Sequence, residues 1–522
     1  MLSNDLILVS AIFLPLLGAV AVTIVGKIRE NVKVIGAISS IFLFTTLSLA
    51  FYLLYFVIGI QEGKPIVLFP LRTPNATCFV IDGLSAVVAV VFSFISSTAS
   101  LYSIGYLKEV HATRITQYYI ALQVLTTALN GIAYSGDLFT LFIFTELCLL
   151  SAVTLVAFYR SKESVEASIK YLVMGSIGAA CILMAVALIY GVTGTLNIAL
   201  AASILRELAK NPLMSPTLTL IFCLLLVGFG VEAAMVPLHS WLIDAHPAAP
   251  FPIHGFLSGA VIKSGIYAFI RTGYYFFTSS SMEWSLDVNV ILFLIAMATI
   301  TLPNLIALRQ TDVKRLLAYS SIYNMGIVVA GIAVGTPFGL AAALFHIINH
   351  AIVKAGAMMT AGDFYVTTHT RNLLELKGIA RKMPVSGVLF SLNSLSLAGL
   401  PPLNTFYSKL LVVVACFSLL TKNAPVAVKV LGAMTGLILV VNAVISIGYY
   451  IAILVRYTWM YEETEKVKKV VREAPLTMIL GLILLLSVAI AISLVPFLFF
   501  DWISKIIESF MDIESYKRTV LG

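Results

Sequence analysis

Fourteen apolar runs, each close to the roughly 20 residues a helix needs to cross a hydrocarbon core, follow one another along the chain and leave little sequence between them. They fall near 6–26, 34–59, 79–105, 116–134, 138–158, 167–191, 217–237, 251–277, 287–308, 314–334, 338–361, 384–418 (interrupted), 428–455 and 475–500. Inside a bilayer every backbone polar group must find its partner within the protein, which restricts a spanning chain to helices or a closed barrel. Runs of this length fit helices. Of the 522 residues, 60% are hydrophobic and 11% charged, against about 25% charged in soluble domains. The expected fold class is therefore an all-α polytopic membrane protein with about 14 transmembrane helices. The first run lacks a basic leader and is long enough to span, so it reads as a helix rather than a cleaved signal.

A net charge of +8 would suggest nucleic acid in a soluble protein, but here the distribution of the charge accounts for it. An even number of spans puts both termini on one side. If that side is outside, the inner loops hold more than twice the Lys and Arg of the outer ones, as the positive-inside rule demands. A multi-pass protein of the cell membrane with both termini outside follows, with lipid and no nucleic acid as its surroundings. The five cysteines, Cys78, Cys148, Cys181, Cys223 and Cys416, stand singly in apolar sequence, with no CxxC pair to hold zinc or an iron–sulfur cluster. No flavin, nucleotide or quinone motif is present, so no cofactor and no metal is expected.

Charge within the spans points to function. From Phe229 to Arg271 an apolar helix meets Pro237, breaks into a segment carrying His239, Asp244, His246 and His254, and re-enters apolar sequence that contains Lys263. Proline removes a backbone donor, and in lipid a broken helix survives only where protein or a water-filled cavity satisfies the freed groups. Ionisable residues at such depth are costly and mark ion paths more often than accidents. A second interruption, Gly399, Pro401 and Pro402, precedes Lys409. The breaks lie in the seventh and twelfth spans, and paired interruptions are the sequence sign of inverted repeats, here spans 4 to 8 and 9 to 13. Glu146 sits in the fifth span without a cation in its own helix. His346, His350 and Lys354 recur at i, i+4 and i+8 on one helical face. Two histidines one turn apart also suit zinc, but the glutamate of HExxH is missing, and a proton relay fits the row better.

The segments PLHSWLIDAHPAAPFPIHGFLSGAVIKSGIY, TDVKRLLAYSSIYNMG, HIINHAIVKAGAM and GLPPLNTFYSKL resemble, in order, the motifs of the antiporter-like proton-pumping subunits of respiratory complex I, Mrp-type cation/proton antiporters and membrane-bound hydrogenases. The resemblance covers roughly residues 75–420. It implies fourteen helices, two inverted five-helix repeats, broken seventh and twelfth helices, and a polar axis along the membrane midplane. By motif, Glu146 matches the family's fifth-helix glutamate, Lys263 its eighth-helix lysine, His350 its eleventh-helix histidine, and Lys409 its twelfth-helix lysine or glutamate. One position departs. Where the family has a seventh-helix lysine paired with the fifth-helix glutamate, this chain has Glu232, so the expected ion pair becomes two acids that would share a proton, hold a cation or have parted.

The resemblance thus implies a membrane subunit of a multisubunit, redox-driven complex such as a hydrogenase or complex I relative, with antiporter-like neighbours as partners. Its ions would be protons, with sodium a second candidate. A redox-independent Mrp-type antiporter subunit and an inactive scaffold are the alternatives; any redox chemistry would belong to partner subunits. The expected organisation is a three-helix N-terminal segment (1–109), a first repeat (110–278), a second repeat (279–460), and a last helix with a short amphipathic tail (461–522). The tail places Trp502, Ile503, Ile506, Ile507, Phe510 and Ile513 on one stripe, and is expected to lie along the membrane surface.

Overall fold

The structure, a computed structural model, describes residues 2–28, 31–61, 64–68, 78–108, 112–277, 285–470, 472–512 and 518. Among them, 13 helices are long and apolar enough to cross a membrane. The fourth expected span is also helical, Ala112–Tyr134, but polar residues dilute its hydropathy. Those residues are employed in packing: Gln123 Nε2 donates to Ser39 O (3.0 Å) on the second helix and Asn130 Nδ2 to Ala11 O (3.0 Å) on the first. Interhelical hydrogen bonds of this kind hold helices together where lipid supplies no hydrophobic drive.

Burial sorts the helices into a centre and an outer ring. The most apolar windows of the third (Gly83–Tyr106), eighth (Phe251–Gly273), tenth (Val313–Ala333) and eleventh (Pro337–Thr368) helices are 89–100% buried, and the fourth is mostly buried as well, whereas the other candidate spans are 33–50% buried. The eighth, tenth and eleventh helices have a mean hydropathy of only 1.3–1.6, as suits helices surrounded by protein. Several boundaries differ from the sequence reading, three helices most clearly. The third helix begins at Gly83, not 79, because Asp82 and Ser85 form a reciprocal capping box there. Residues Phe79–Ile81 instead pair antiparallel with Ile66–Leu68 in a two-stranded sheet. The sixth and eleventh helices each run through 32 residues, Lys162–Thr193 and Pro337–Thr368, beyond their expected limits, since Ser161 and Thr336 cap their starts and left-handed Gly194 and His369 end them.

Both expected breaks are present. The seventh helix, Ser215–Glu232, stops and resumes as Ser240–Ala248; the twelfth, Pro384–Ala398, resumes as Asn404–Ser418. The two breaks are built alike. A left-handed residue, Ala234 in one and Gly399 in the other, turns the chain, and the next amide closes back onto the helix, Met235 N to Gly230 O (2.9 Å) and Leu400 N to Leu395 O (3.2 Å). A second pairing recurs as well. Asp137 caps the fifth helix and bridges to Asn197, while Asp312 caps the tenth and bridges to Asn372 at the same spacing. In both, the asparagine amide is held by a threonine two residues earlier, Thr195 or Thr370, at 3.2 Å.

The tail corrects an expectation. Helix Pro496–Met511 is amphipathic, but Phe500, Ile503, Ile506, Ile507 and Phe510 are buried in protein rather than turned to lipid. Ile506 meets Gly83 at the start of the third helix, and Phe500 packs on Phe338 and Phe345 of the eleventh. Apolar surface on the central helices was the available partner. Trp502 stays on the rim against Phe499, and Ile513 lies outside the described residues.

Candidate functional site

The eighth helix departs from α geometry at Leu257–Val261, where a π-helical turn sits one residue before the next α segment. Such a turn loosens the regular i to i−4 ladder, and the carbonyl of Ser258 inside it accepts the ammonium of Lys263. Lys263 is wholly buried. On the eleventh helix the i, i+4, i+8 spacing puts His346, His350 and Lys354 in one buried row, with the two imidazoles 5.9 Å apart. His346 is held at both nitrogens, Nδ1 by Ser408 Oγ (2.9 Å) and Nε2 by Asn324 Oδ1 (3.2 Å). His350 has no hydrogen-bond partner at either nitrogen among the described residues. Lys354 Nζ lies 3.4 Å from Tyr450 Oη, which in turn meets Ser320 Oγ at 2.6 Å.

Lys409 occupies the second break. Its Nζ donates to Leu397 O (2.7 Å) and Ala398 O (3.2 Å), carbonyls that the interrupted helix leaves at its negative end. Gly399 makes this possible. A Cβ there would stand 3.2 Å from Nζ, and the residue's φ of +87° disfavours any side chain. Ser408, which holds His346, precedes Lys409, and Gly259 of the eighth helix lies against Ala351 and Ala355 of the eleventh, so the helices that bear these five predicted residues pack together. None of the three lysines has a carboxylate partner among the described ion pairs. Each rests on a neutral oxygen instead. A carboxylate would pin the ammonium in its charged form, whereas a neutral acceptor leaves the proton removable, as a relay requires.

The other predicted residues divide. Glu232 ends the first half of the seventh helix, is buried, and has no hydrogen-bond partner for Oε1 among the described residues. Its backbone lies against Gly265, whose added Cβ would come within 2.6 Å of Glu232 Cβ. Glu146 is half-exposed on the fifth helix, and no hydrogen bond joins it to Glu232. His246 and His254 are wholly buried with ring centroids 5.1 Å apart. His239 is half-buried at the break. Asp244 is not gathered in: it pairs with Lys170 at the surface, 2.8 Å, because its helical turn faces outward beside the start of the sixth helix. The two halves of the seventh helix are tied by Trp241, whose Nε1 donates to Val231 O (2.9 Å) and whose ring stacks on Tyr171 at 4.0 Å.

Three groups escaped the sequence reading. Lys314, at the expected edge of the tenth span, is buried, with Nζ bound to Pro247 O (3.1 Å) and Ala249 O and set 4.1 Å from the Phe251 ring. It forms the floor of a cleft of about 790 Å³ at the basic-loop face, where His369 and Arg371 also stand. At that cleft, a hydrogen bond from Lys466 holds the exposed Glu375 carboxyl below the ordinary range. Arg271 and Asp82 form a buried ion pair joining the eighth and third helices. Asp363, near the end of the eleventh helix, is fully buried. The expected limit of that span at 361 left it out of view. Its only sequence signal is an acid beside an apolar run.

With this geometry in place, comparisons with known proteins identify its kin. Residues 135–436 match the family model described as NADH:quinone oxidoreductase/Mrp antiporter, TM, and residues 75–119 match that of the complex I chain 5 N-terminus. NADH-quinone oxidoreductase subunit N of Desulforudis audaxviator is 35% identical over 337 residues, 65% of this chain and 66% of that protein. A hydrogenase-4 component F homolog of Methylacidiphilum infernorum is 30% identical over 397 residues, 74% of this chain and 82% of that protein. Among solved structures, a chain of the membrane-bound sulfane sulfur reductase, an archaeal respiratory membrane complex, superposes with a TM-score of 0.87 at 28% identity, covering 98% of this chain and 99% of that one.

Proposed function

The chain belongs to the NADH:quinone oxidoreductase/Mrp antiporter transmembrane family, and from that premise we propose that it is an ion-translocating membrane subunit of a multisubunit, redox-driven complex. The ion is the proton. The observation that carries this reading is the buried row of Lys263, His350, His346, Lys354 and Lys409, with every lysine on a neutral acceptor. In so dry a site a charge on one member biases its neighbours strongly, so protonation can pass along the row as a sequence of population shifts. Lys409 would mark one end of the axis, at the break in the twelfth helix. His246, His254 and Lys314, beneath the cleft at the basic-loop face, would mark a polar approach from the other side.

Two inverted repeats, 110–278 and 279–460, follow from the same reading. The like construction of the two breaks and the recurring Asp–Asn bridges support them. The subunit would sit in the cell membrane with both termini outside, as the distribution of Lys and Arg favours, and other membrane subunits would surround it. A second reading, redox-independent cation/proton exchange, is favoured by one observation: the fifth and seventh helices carry two acids, Glu146 and Glu232, where the resemblance implies an acid and a lysine. Vesicles reconstituted with the whole complex, given an imposed pH gradient with and without sodium, decide between them. Proton flux without sodium supports the proposal, flux that requires sodium supports exchange, and no flux under either condition makes the subunit a scaffold.

A further inference from the structure

The surroundings of Asp363 contain more oxygen-to-oxygen contacts than their hydroxyl hydrogens can fill. Tyr102 Oη lies 2.6 Å from Met359 O and 2.9 Å from Asp363 Oδ1. Ser386 Oγ lies 2.8 Å from Asp363 Oδ2 and 3.1 Å from Glu473 Oε2. A carbonyl oxygen only accepts, so the single phenol hydrogen of Tyr102 belongs to the shorter contact with Met359. The contact between Tyr102 and Asp363 Oδ1 then needs a hydrogen that only the Asp363 carboxyl can bring. Likewise Ser386 has one hydrogen for two carboxyl oxygens. The serine can give that hydrogen to either carboxyl, one at a time, so it bridges Asp363 to a Glu473 carboxylate free to accept.

The site is also connected to water. Ser386 opens the twelfth helix, Pro384–Ala398, and Glu473 caps that helix start through Val385 N (2.7 Å). Glu473 is half-exposed and lines a cleft of about 620 Å³ with Lys469, Arg472 and His369. The titratable groups facing Asp363 are Tyr102 from the third helix and Glu473 from the segment before the fourteenth; the twelfth helix contributes Ser386.

We propose that Asp363 is a proton-holding site that exchanges with the basic-loop face through Ser386 and Glu473. On release, the carboxyl turns its hydrogen to Oδ2 and passes it to Ser386 Oγ as the serine's own hydrogen passes to Glu473. One proton leaves Asp363, one appears on Glu473, and the serine is unchanged. Loading is the reverse. Asp363 thereby gives the eleventh helix, which bears His346, His350 and Lys354, a proton store close to the surface. Its part in transport rests on the proton-moving reading above, but its protonation does not.

Infrared difference spectroscopy on the assembled complex tests the protonation, because a protonated carboxyl has a carbonyl stretch that a carboxylate lacks. The band is expected in wild type and lost in Asp363→Asn. Ser386→Ala and Glu473→Gln, which leave Asp363 in place, should keep the band and slow its shift in heavy water by at least about tenfold. An Asp363→Asn spectrum identical to wild type, or unaltered exchange in both other variants, overturns the proposal. Should Asp363→Asn fail to assemble, the Ser386→Ala and Glu473→Gln exchange rates decide alone. Flux separates this from the wider reading. If Lys263→Ala stops flux while Asp363→Asn conducts as wild type, the row stands and Asp363 has no part in transport. If Lys263→Ala itself conducts, the row fails while the spectrum still rules on Asp363.

Discussion

Lys409 illustrates what one side chain contributes here. It reaches two carbonyls that exist as free acceptors only because the twelfth helix is broken, whereas Lys422 lies exposed beyond the end of the same helix. Lys409→Met should lower proton flux by at least about tenfold, and Lys422→Met should leave it near wild type; vesicle flux measurements check this, and equal effects would make Lys409 an ordinary snorkelling residue. Glu232 stands where the resemblance implies a lysine. Glu232→Gln should alter the sodium or pH dependence of flux rather than scale its rate. Glu232→Lys restores the family's charge and should retain proton flux while removing any sodium stimulation. Flux identical to wild type in both variants would show that Glu232 faces no ion. Residues of this kind were legible in the sequence because a lone charge in an apolar run is conspicuous. Lys314 was not, because its neighbours Asp312 and Arg315 made it look like part of a loop, and only packing against Phe251 and the end of the seventh helix reveals its burial.

At the scale of elements, the breaks were legible because proline and glycine interrupt otherwise uniform spans. What lay beyond reach was how each break is stabilised. Ala234 and Gly399 both take left-handed backbone, but the first is not a glycine and gave no warning. Gly399→Ala should therefore destabilise by about 1–2 kcal/mol through its backbone alone, and its Cβ would press on Lys409. The expected outcome is a lower melting temperature of the purified complex together with reduced flux. A change confined to flux would mean that the backbone tolerates alanine. The pair Arg271–Asp82 ties the eighth helix to the third, and removing one partner of a buried pair costs about 3–5 kcal/mol. Arg271→Ala should thus reduce the amount of assembled complex, as blue native gels would show. The tail was misjudged for a related reason: an amphipathic stripe fits a membrane surface or a protein face equally well, and sequence alone does not say which apolar surface lies beneath it.

Across the whole molecule, the fold follows from the spacing of apolar runs, and its functional centre from where burial and ionisable groups coincide. The most deeply buried helices include the two that bear Lys263, His346, His350 and Lys354, which a scaffold held together by apolar packing alone would not need. Sidedness is a separate expectation. A reporter active only outside the cell, fused at either terminus, should be active in both fusions, and activity at neither would reverse the orientation. The central claim is that the buried row conducts protons through removable charges. Its most direct test is proton flux in vesicles holding the complex with Lys263→Ala, beside wild type and with assembly checked in the same preparation. The account predicts an assembled complex whose flux falls to the background of empty vesicles. Wild-type flux in that assembled complex would contradict it.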